Sequence, residues 1–316
     1  MAAAPDPSQP TPPSSTAGTK WSGKARGGQF GNWWFLFLLR RVGLWPAYVW
    51  LVPVVAYFTL FARGEYRSSR QYLERILGRR PVWLWPWLVY RHLYSSGVTL
   101  LDRAAVIMGH GYVECSFEGE PEILKALAEE KGVILLSAHL GSWEMGGQLI
   151  ARHGRPVNLV VLEREQEQIR RLFERALQGR KFQILTTSDD PLRSVPIAAA
   201  LRRGEMVALH GDRTFGTDAT VRIPFLGAPA TFPVGPYLLA AATGAPLIHV
   251  FAVREKLRSY RFLSFPAQHV PRERGPAQAA ILNRCATQYV EHLTSVLKEY
   301  PFQWYNFYPF WDENTD

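Results

Sequence analysis

The run LLSAHLGSWEMGG, Leu135 to Gly147, places His139 where an apolar stretch gives way to glycine, serine and tryptophan, with Glu144 five residues further on. At the end of a buried strand, an imidazole is shielded on one side and open at the mouth of the sheet on the other. If a helix begins near Ser142, Glu144 falls in its first turn, where the helix dipole favours a carboxylate. A turn between the two residues can fold Glu144 back onto the Nδ1 hydrogen of His139, leaving Nε2 to take a proton from a substrate hydroxyl. That is a general base and its orienter, without an enzyme nucleophile. The same residues also fit a structural histidine bonded to a backbone carbonyl and a glutamate that caps a helix.

A second stretch, ALHGDRTFG, ends another apolar run in polar groups and glycine. In a parallel sheet, Asp212 and Arg213 emerge at the same edge as His139. The forked donors of arginine suit phosphate or another oxyanion; a local Asp-Arg salt bridge is the alternative. A third stretch, IPFLGAPATFPVGPYLLAAATGAP, is apolar and rich in Gly and Pro before it turns helical. It has the character of a groove wall for an acyl chain, and equally of a glycine-rich loop before a core helix.

These residues need a frame. From about Pro121 onward, strand and helix signals alternate. Strands are expected at Val133–Ala138, Val157–Leu162, Phe182–Leu185, Met206–Leu209 and Leu247–Val253. Helices are expected at Ile123–Glu130, Glu165–Gln178, Leu192–Arg203 and Tyr237–Ala242. A last long helix within Ala277–Lys298 aligns Ile281, Cys285, Tyr289, Leu293 and Val296 on one face. The alternation predicts an α/β fold, a largely parallel sheet flanked by helices.

The N-terminal third differs. Residues 1–26, rich in Ala, Pro, Ser, Thr and Gly, cannot bury enough apolar surface to offset their ordering entropy and read as a disordered tail. From Val42 to Phe61 there are 20 residues without a charge, about the length that spans a hydrocarbon core as a helix. Pro46 and Pro53 tend to kink such a helix, so a bent or in-plane segment fits as well. Arginines flank both ends and leave the orientation open. A buried hairpin of a soluble domain is the competing reading. Residues 27–100 are expected to form a membrane-associated helical segment, and 101–316 the α/β domain.

Composition narrows the function. The net charge is +9, and 11 tryptophans stand among 13% aromatic residues. A basic chain attracts an anionic partner surface, and clustered Trp with Arg suits a membrane interface. Two widely separated cysteines, Cys115 and Cys285, form neither a disulfide framework nor a C-x-x-C metal site. No G-x-S-x-G, Walker-type G-x-x-x-x-G-K-[ST], strand-linked G-x-G-x-x-G or H-E-x-x-H motif is present. The histidines have no metal-set spacing, so no metal is expected. No recognised nucleic-acid motif accompanies the charge, so no nucleic-acid partner is expected either.

Taken together, these blocks resemble the bacterial lipid A late acyltransferase family, the lauroyl and myristoyl transferases of the glycerolipid acyltransferase superfamily. The resemblance rests on an H-x-x-x-x-D/E motif at a strand end, here His139 and Glu144. It also rests on GDRTF, VRIPFLGAPATFPVGP, TGAPLIHVF and PFQWYNFYPFW in the expected order, over roughly residues 30–312. It implies acyl transfer from a thioester to a glycolipid hydroxyl at the cytoplasmic face of a bacterial inner membrane. The implied donor is acyl carrier protein, with acyl-CoA as the alternative co-substrate, and no cofactor. By this resemblance His139 is the base and Glu144 its orienter. Arg213 contacts a phosphate or the developing oxyanion, oriented by Asp212. Lipid A or its precursor is the implied acceptor. Other members acylate mannosylated inositol lipids, and related chains accompany pigment-lipid pathways. A non-catalytic module that holds lipid or acyl carrier remains the alternative from another class.

Overall fold

The computed structural model describes residues 35, 37–39, 41–108, 114–142, 153–162, 182–187, 194–214 and 219–311. After helical residues at 35, 37–39 and 41, three α-helices follow: α1 (Leu44–Phe61), α2 (Arg63–Leu77) and α3 (Trp85–Ile107). A sheet with flanking helices follows: β1 (Glu114–Glu118), α4 (Glu120–Leu127), β2 (Val133–Ser137), β3 (Val157–Leu162), β4 (Phe182–Thr187), α5 (Ser194–Arg202) and β5 (Met206–His210). The remainder is β6 (Thr220–Phe225), β7 (Ala228–Pro233), α6 (Gly235–Thr243), β8 (Leu247–Lys256), β9 (Ser259–Ser264) and α7 (Gly275–Glu299).

Seven strands form one sheet in the order β1-β9-β8-β2-β5-β3-β4. All neighbours are parallel except β8 and β9, which are antiparallel. Strand β2 lies at the centre, and every residue of its VILLS run is buried. A continuous apolar run of this kind is what a central parallel strand requires, because both faces are covered. One face carries Ile134, Leu136 and Val207, packed with α5, α6 and α7. The other carries Leu135, Ala208, Val250 and Phe262, packed with Ile123 and Ala126 of α4.

The sequence reading of an α/β fold with a largely parallel sheet is borne out, with boundaries displaced by a few residues. The Gly- and Pro-rich stretch, read as a groove wall or as a glycine-rich loop before a core helix, forms an antiparallel hairpin of β6 and β7, with Leu226 and Gly227 at positive φ in its turn, followed by α6. Its prolines, Pro224, Pro229 and Pro233, stand on a two-stranded ribbon rather than inside the main sheet. The expected helix Glu165–Gln178 lies outside the described residues.

The helical third is not uniform. Helix α1 buries only Ala47, Tyr48, Leu51 and Val55, against Val98, Leu101 and Ala105 of α3. Trp45, at 63% exposure, and Leu60 and Phe61 face outward. By contrast, Tyr72 and Leu73 of α2 and Trp85, Leu88 and Val89 of α3 belong to the same core as the sheet. Helix α3 runs unbroken across position 100 and so joins the two parts. Val82 and Trp83, at 78% exposure for the latter, and Trp87 carry the outward apolar surface on beside exposed Arg79 and Arg80.

Candidate active site

Strands β2 and β5 are parallel neighbours with Ser137 opposite His210, so the chain leaves the sheet at adjacent points. Two residues past each strand end come His139 and Asp212, side by side as the sequence spacing requires. Their contact is direct: Nδ1 of His139 lies 2.8 Å from Oδ1 of Asp212, and the backbone N–H of His139 donates to Oδ2 at 2.9 Å. Because a carboxylate only accepts, Nδ1 carries the hydrogen. No described residue hydrogen-bonds Nε2, and the side chain keeps 20% of its surface accessible. In the neutral form of the ring the lone pair is then on Nε2, while Asp212 holds the other nitrogen.

Asp212 is fully buried. Burial alone would raise its pKa. The His139 charge and hydrogen bond, with His210 and Arg213 nearby, outweigh that and hold the carboxyl well below the usual carboxylate range. Oδ2 also accepts from Trp304 Nε1 at 2.9 Å and from Asn306 Nδ2 at 3.1 Å. An ionised carboxylate in a buried site is tolerable when its lone pairs are met in this way. His210 packs against His139 with ring centroids 4.2 Å apart. Burial first, then the His139 charge, lowers its pKa, so it stays neutral beside His139.

This arrangement revises the expected division of labour. Asp212 was expected to orient Arg213; its hydrogen bonds instead go to His139, Trp304 and Asn306. The Nδ1 position assigned to Glu144 is taken by Asp212, because the parallel register places Asp212 directly beside the histidine. Glu144 itself lies outside the described residues. Arg213 is half-buried; its Nε donates to Asn306 Oδ1 at 2.8 Å and its Nη2 to the Tyr305 carbonyl at 3.3 Å, with the guanidinium 5.5 Å from the Tyr308 ring.

The segment after His139 is fixed by backbone pairing. Tyr305 N–H donates to the His139 carbonyl at 2.7 Å, Gly141 N–H to Gln303 at 2.9 Å and Ser142 N–H to Ala252 at 2.8 Å. Gly141 has φ +60°, and a Cβ there would stand 1.9 Å from the Ala252 carbonyl oxygen, so only glycine fits. Trp304 and Asn306 were missed as site residues. Their signal was available in QWYN, polar groups inside an otherwise aromatic closing block.

Near the strand ends, the sheet face carries a small apolar pocket of about 20 Å³, partly open to solvent. Leu135, Leu159, Ala208, Val250 and Phe262 line it, with Ser137 and His210 at the strand ends nearest His139. Among the described residues, no group of three or more His, Cys, Asp or Glu side chains could hold a metal.

A histidine backed by a buried aspartate at the carboxyl edge of a parallel sheet, with an arginine alongside, is an arrangement suited to proton transfer. Within that class the chain belongs to the bacterial lipid A biosynthesis acyltransferase family, whose model matches residues 28–312. It is similar to phosphatidylinositol mannoside acyltransferases. One from Mycobacterium tuberculosis is 31% identical over 192 residues, 59% of this chain and 56% of that relative. Another from Mycolicibacterium smegmatis is 26% identical over 192 residues, 59% of each chain. The matched region thus spans somewhat over half the length of these relatives. A solved 1-acyl-sn-glycerophosphate acyltransferase from Thermotoga maritima aligns with 78% of this chain and 95% of its own, at 11% identity and a TM-score of 0.37.

Proposed function

We propose that the protein transfers a fatty acyl group from a thioester to a hydroxyl of a membrane glycolipid. The observation that carries this reading is the His139–Asp212 pair, with Nε2 outward and Arg213 alongside. His139 Nε2 takes the acceptor hydroxyl proton as the oxygen attacks the thioester carbonyl. Collapse of the tetrahedral adduct breaks the C–S bond, and the imidazolium returns the proton to the departing sulfur. The products are an ester and a free thiol. A thioester is already activated, so a base, an oxyanion partner and positioning suffice. Arg213 supplies positive charge for the oxyanion or an acceptor phosphate. Glu144 serves as the second acidic group of the motif, and Glu144→Gln tests it by slowing transfer.

Acyl carrier protein is the proposed donor, since a chain of +9 attracts an acidic carrier. Helix α1, the one described helix long and apolar enough to cross a membrane, holds the protein at a bacterial inner membrane with the site on the cytoplasmic side. For the acceptor, the family description favours lipid A or its precursor. The curated relatives favour a mannosylated inositol lipid.

The test offers acyl carrier protein and acyl-CoA donors, each with a labelled acyl group, to the protein with each acceptor class in vesicles. Label in one acceptor identifies the pair. Label in neither acceptor with either donor overturns the reading in favour of a binding module. Deleting residues through Phe61 is expected to release the protein from sedimenting membranes, whereas deleting 1–26 is not.

A further inference from the structure

Asp212 and Arg213 are consecutive and oppositely charged, yet the carboxylate is bonded to His139 and the guanidinium to Asn306. The side chain of Asn306 stands between them. Its Nδ2 donates to Asp212 Oδ2 at 3.1 Å while its Oδ1 accepts from Arg213 Nε at 2.8 Å. Chemistry fixes which end is which, because a carboxylate only accepts and a guanidinium only donates. Asn306 is 2% exposed, so water does not substitute for either bond.

We propose that Asn306 is a positioning residue for acyl transfer: its amide stands between Asp212 and Arg213 and reserves the carboxylate for His139. This rests on the proposed reaction. Without the amide, the carboxylate and the guanidinium can close on each other in a charge-assisted pair that competes with the hydrogen bond to His139 Nδ1. Asp212 would turn from His139, and the base would lose its tautomer and its aim.

Trp304 is the second support, and the strap that carries both residues is anchored independently of the dyad. The Trp304 ring sits among Tyr72, Phe225, Phe310 and Trp311, while its single polar atom meets Asp212. Its carbonyl accepts from His92 Nε2 at 2.8 Å. The Tyr305 hydroxyl bonds Thr99 at 2.9 Å and Ser95 at 3.2 Å. Helix α3 thus holds the strap in place, and the strap holds Asp212.

The experiment is a double-mutant cycle of Asn306→Leu and Asp212→Asn, read as kcat and KM for the thioester donor, with thermal melting as the folding control. Asn306→Leu is expected to lower kcat about 10- to 100-fold, the scale of a misplaced catalytic group, with KM changed less than about threefold. In the Asp212→Asn background it is expected to cost less than about twofold more, because the residue it acts through is already lost. Should Asn306→Leu fail to fold, Asn306→Asp keeps the shape and the Arg213 acceptor while removing the donor to Asp212. The same cycle then applies. Additive losses, or a normal kcat in the single variant, overturn the proposal. His139→Ala is measured alongside: its inactivity with a fully active Asn306→Leu removes only the wedge, whereas its full activity removes the underlying reaction.

Discussion

Among the described residues two aspartates are completely buried, Asp102 and Asp212, and their surroundings treat them in opposite ways. Asp102, on α3, accepts hydroxyl hydrogens from Tyr48 of α1 and, at 2.7 Å, from Tyr260 of β9. Burial pushes its pKa up, against those hydroxyls and the charges of Arg254 and Arg258. Asp212 feels the same burial, but His139 and its neighbours bring it down. The difference lies in the donors: two neutral hydroxyls in one case, and in the other three N–H groups and an imidazole that can carry charge. The first carboxyl ties helices to a sheet. The second is kept ionised, and a kept charge is what a general base needs behind it.

Linkage gives the two aspartates opposite signs. With a folded pKa above its unfolded value, Asp102 is a group whose ionisation costs stability as pH rises past the ordinary 3.8. With a folded pKa below that value, Asp212 contributes stability above it, lost as pH falls through the folded pKa.

The sharpest way to break the contrast is Asp212→Asn, which keeps the shape and removes the charge. It is expected to lower kcat by about 10²- to 10⁴-fold, the range general-base machinery supplies, while the protein still binds donor. A loss below about threefold would make Asp212 as structural as Asp102.

Next in size is Gly141→Ala. The new Cβ would lie 1.9 Å from the Ala252 oxygen, so the His139 segment must shift. A stability loss above about 1 kcal/mol by denaturant titration is expected, together with lower kcat. Asp102→Asn should show the reverse pattern. It exchanges one accepted hydrogen bond for a mismatch, about 1 to 3 kcal/mol, with kcat per folded molecule within about twofold of wild type. A large kcat effect at unchanged stability would show that Asp102 also acts in the site.

The smallest effect joins the two regions. Burial lowers the pKa of His92 to about 4, opposed by its hydrogen bond to Trp304. A neutral buried histidine gives stability that is intact above the unfolded value of 6.5 and is lost as pH falls from there toward 4. His92→Gln is expected to flatten that part of the melting-temperature profile, and an unchanged profile would show that His92 does not carry it.

Much of this was legible in the sequence, for identifiable reasons. The VILLS run followed by His139, and MVALH followed by Asp212 and Arg213, announce two buried strands ending in chemistry at one sheet edge. Periodicity does not give strand order, so nothing local showed that β2 and β5 are neighbours. That adjacency decides that Asp212, rather than Glu144, meets Nδ1. Trp304 and Asn306 lie over ninety residues beyond Asp212, as the separations of 92 and 94 in their hydrogen bonds show. Their role exists only in the folded state. The helical third was read as one membrane-facing block because Trp85 and Trp87 look alike in sequence. One is 2% exposed in the core and the other 55% exposed.

The most direct test of the account is label transfer from an acyl thioester into membrane glycolipid, with wild type and His139→Ala at equal folded concentration. The account predicts label in a single glycolipid with wild type and a rate about 10²- to 10⁴-fold lower with the variant. Equal rates for the two proteins would contradict it.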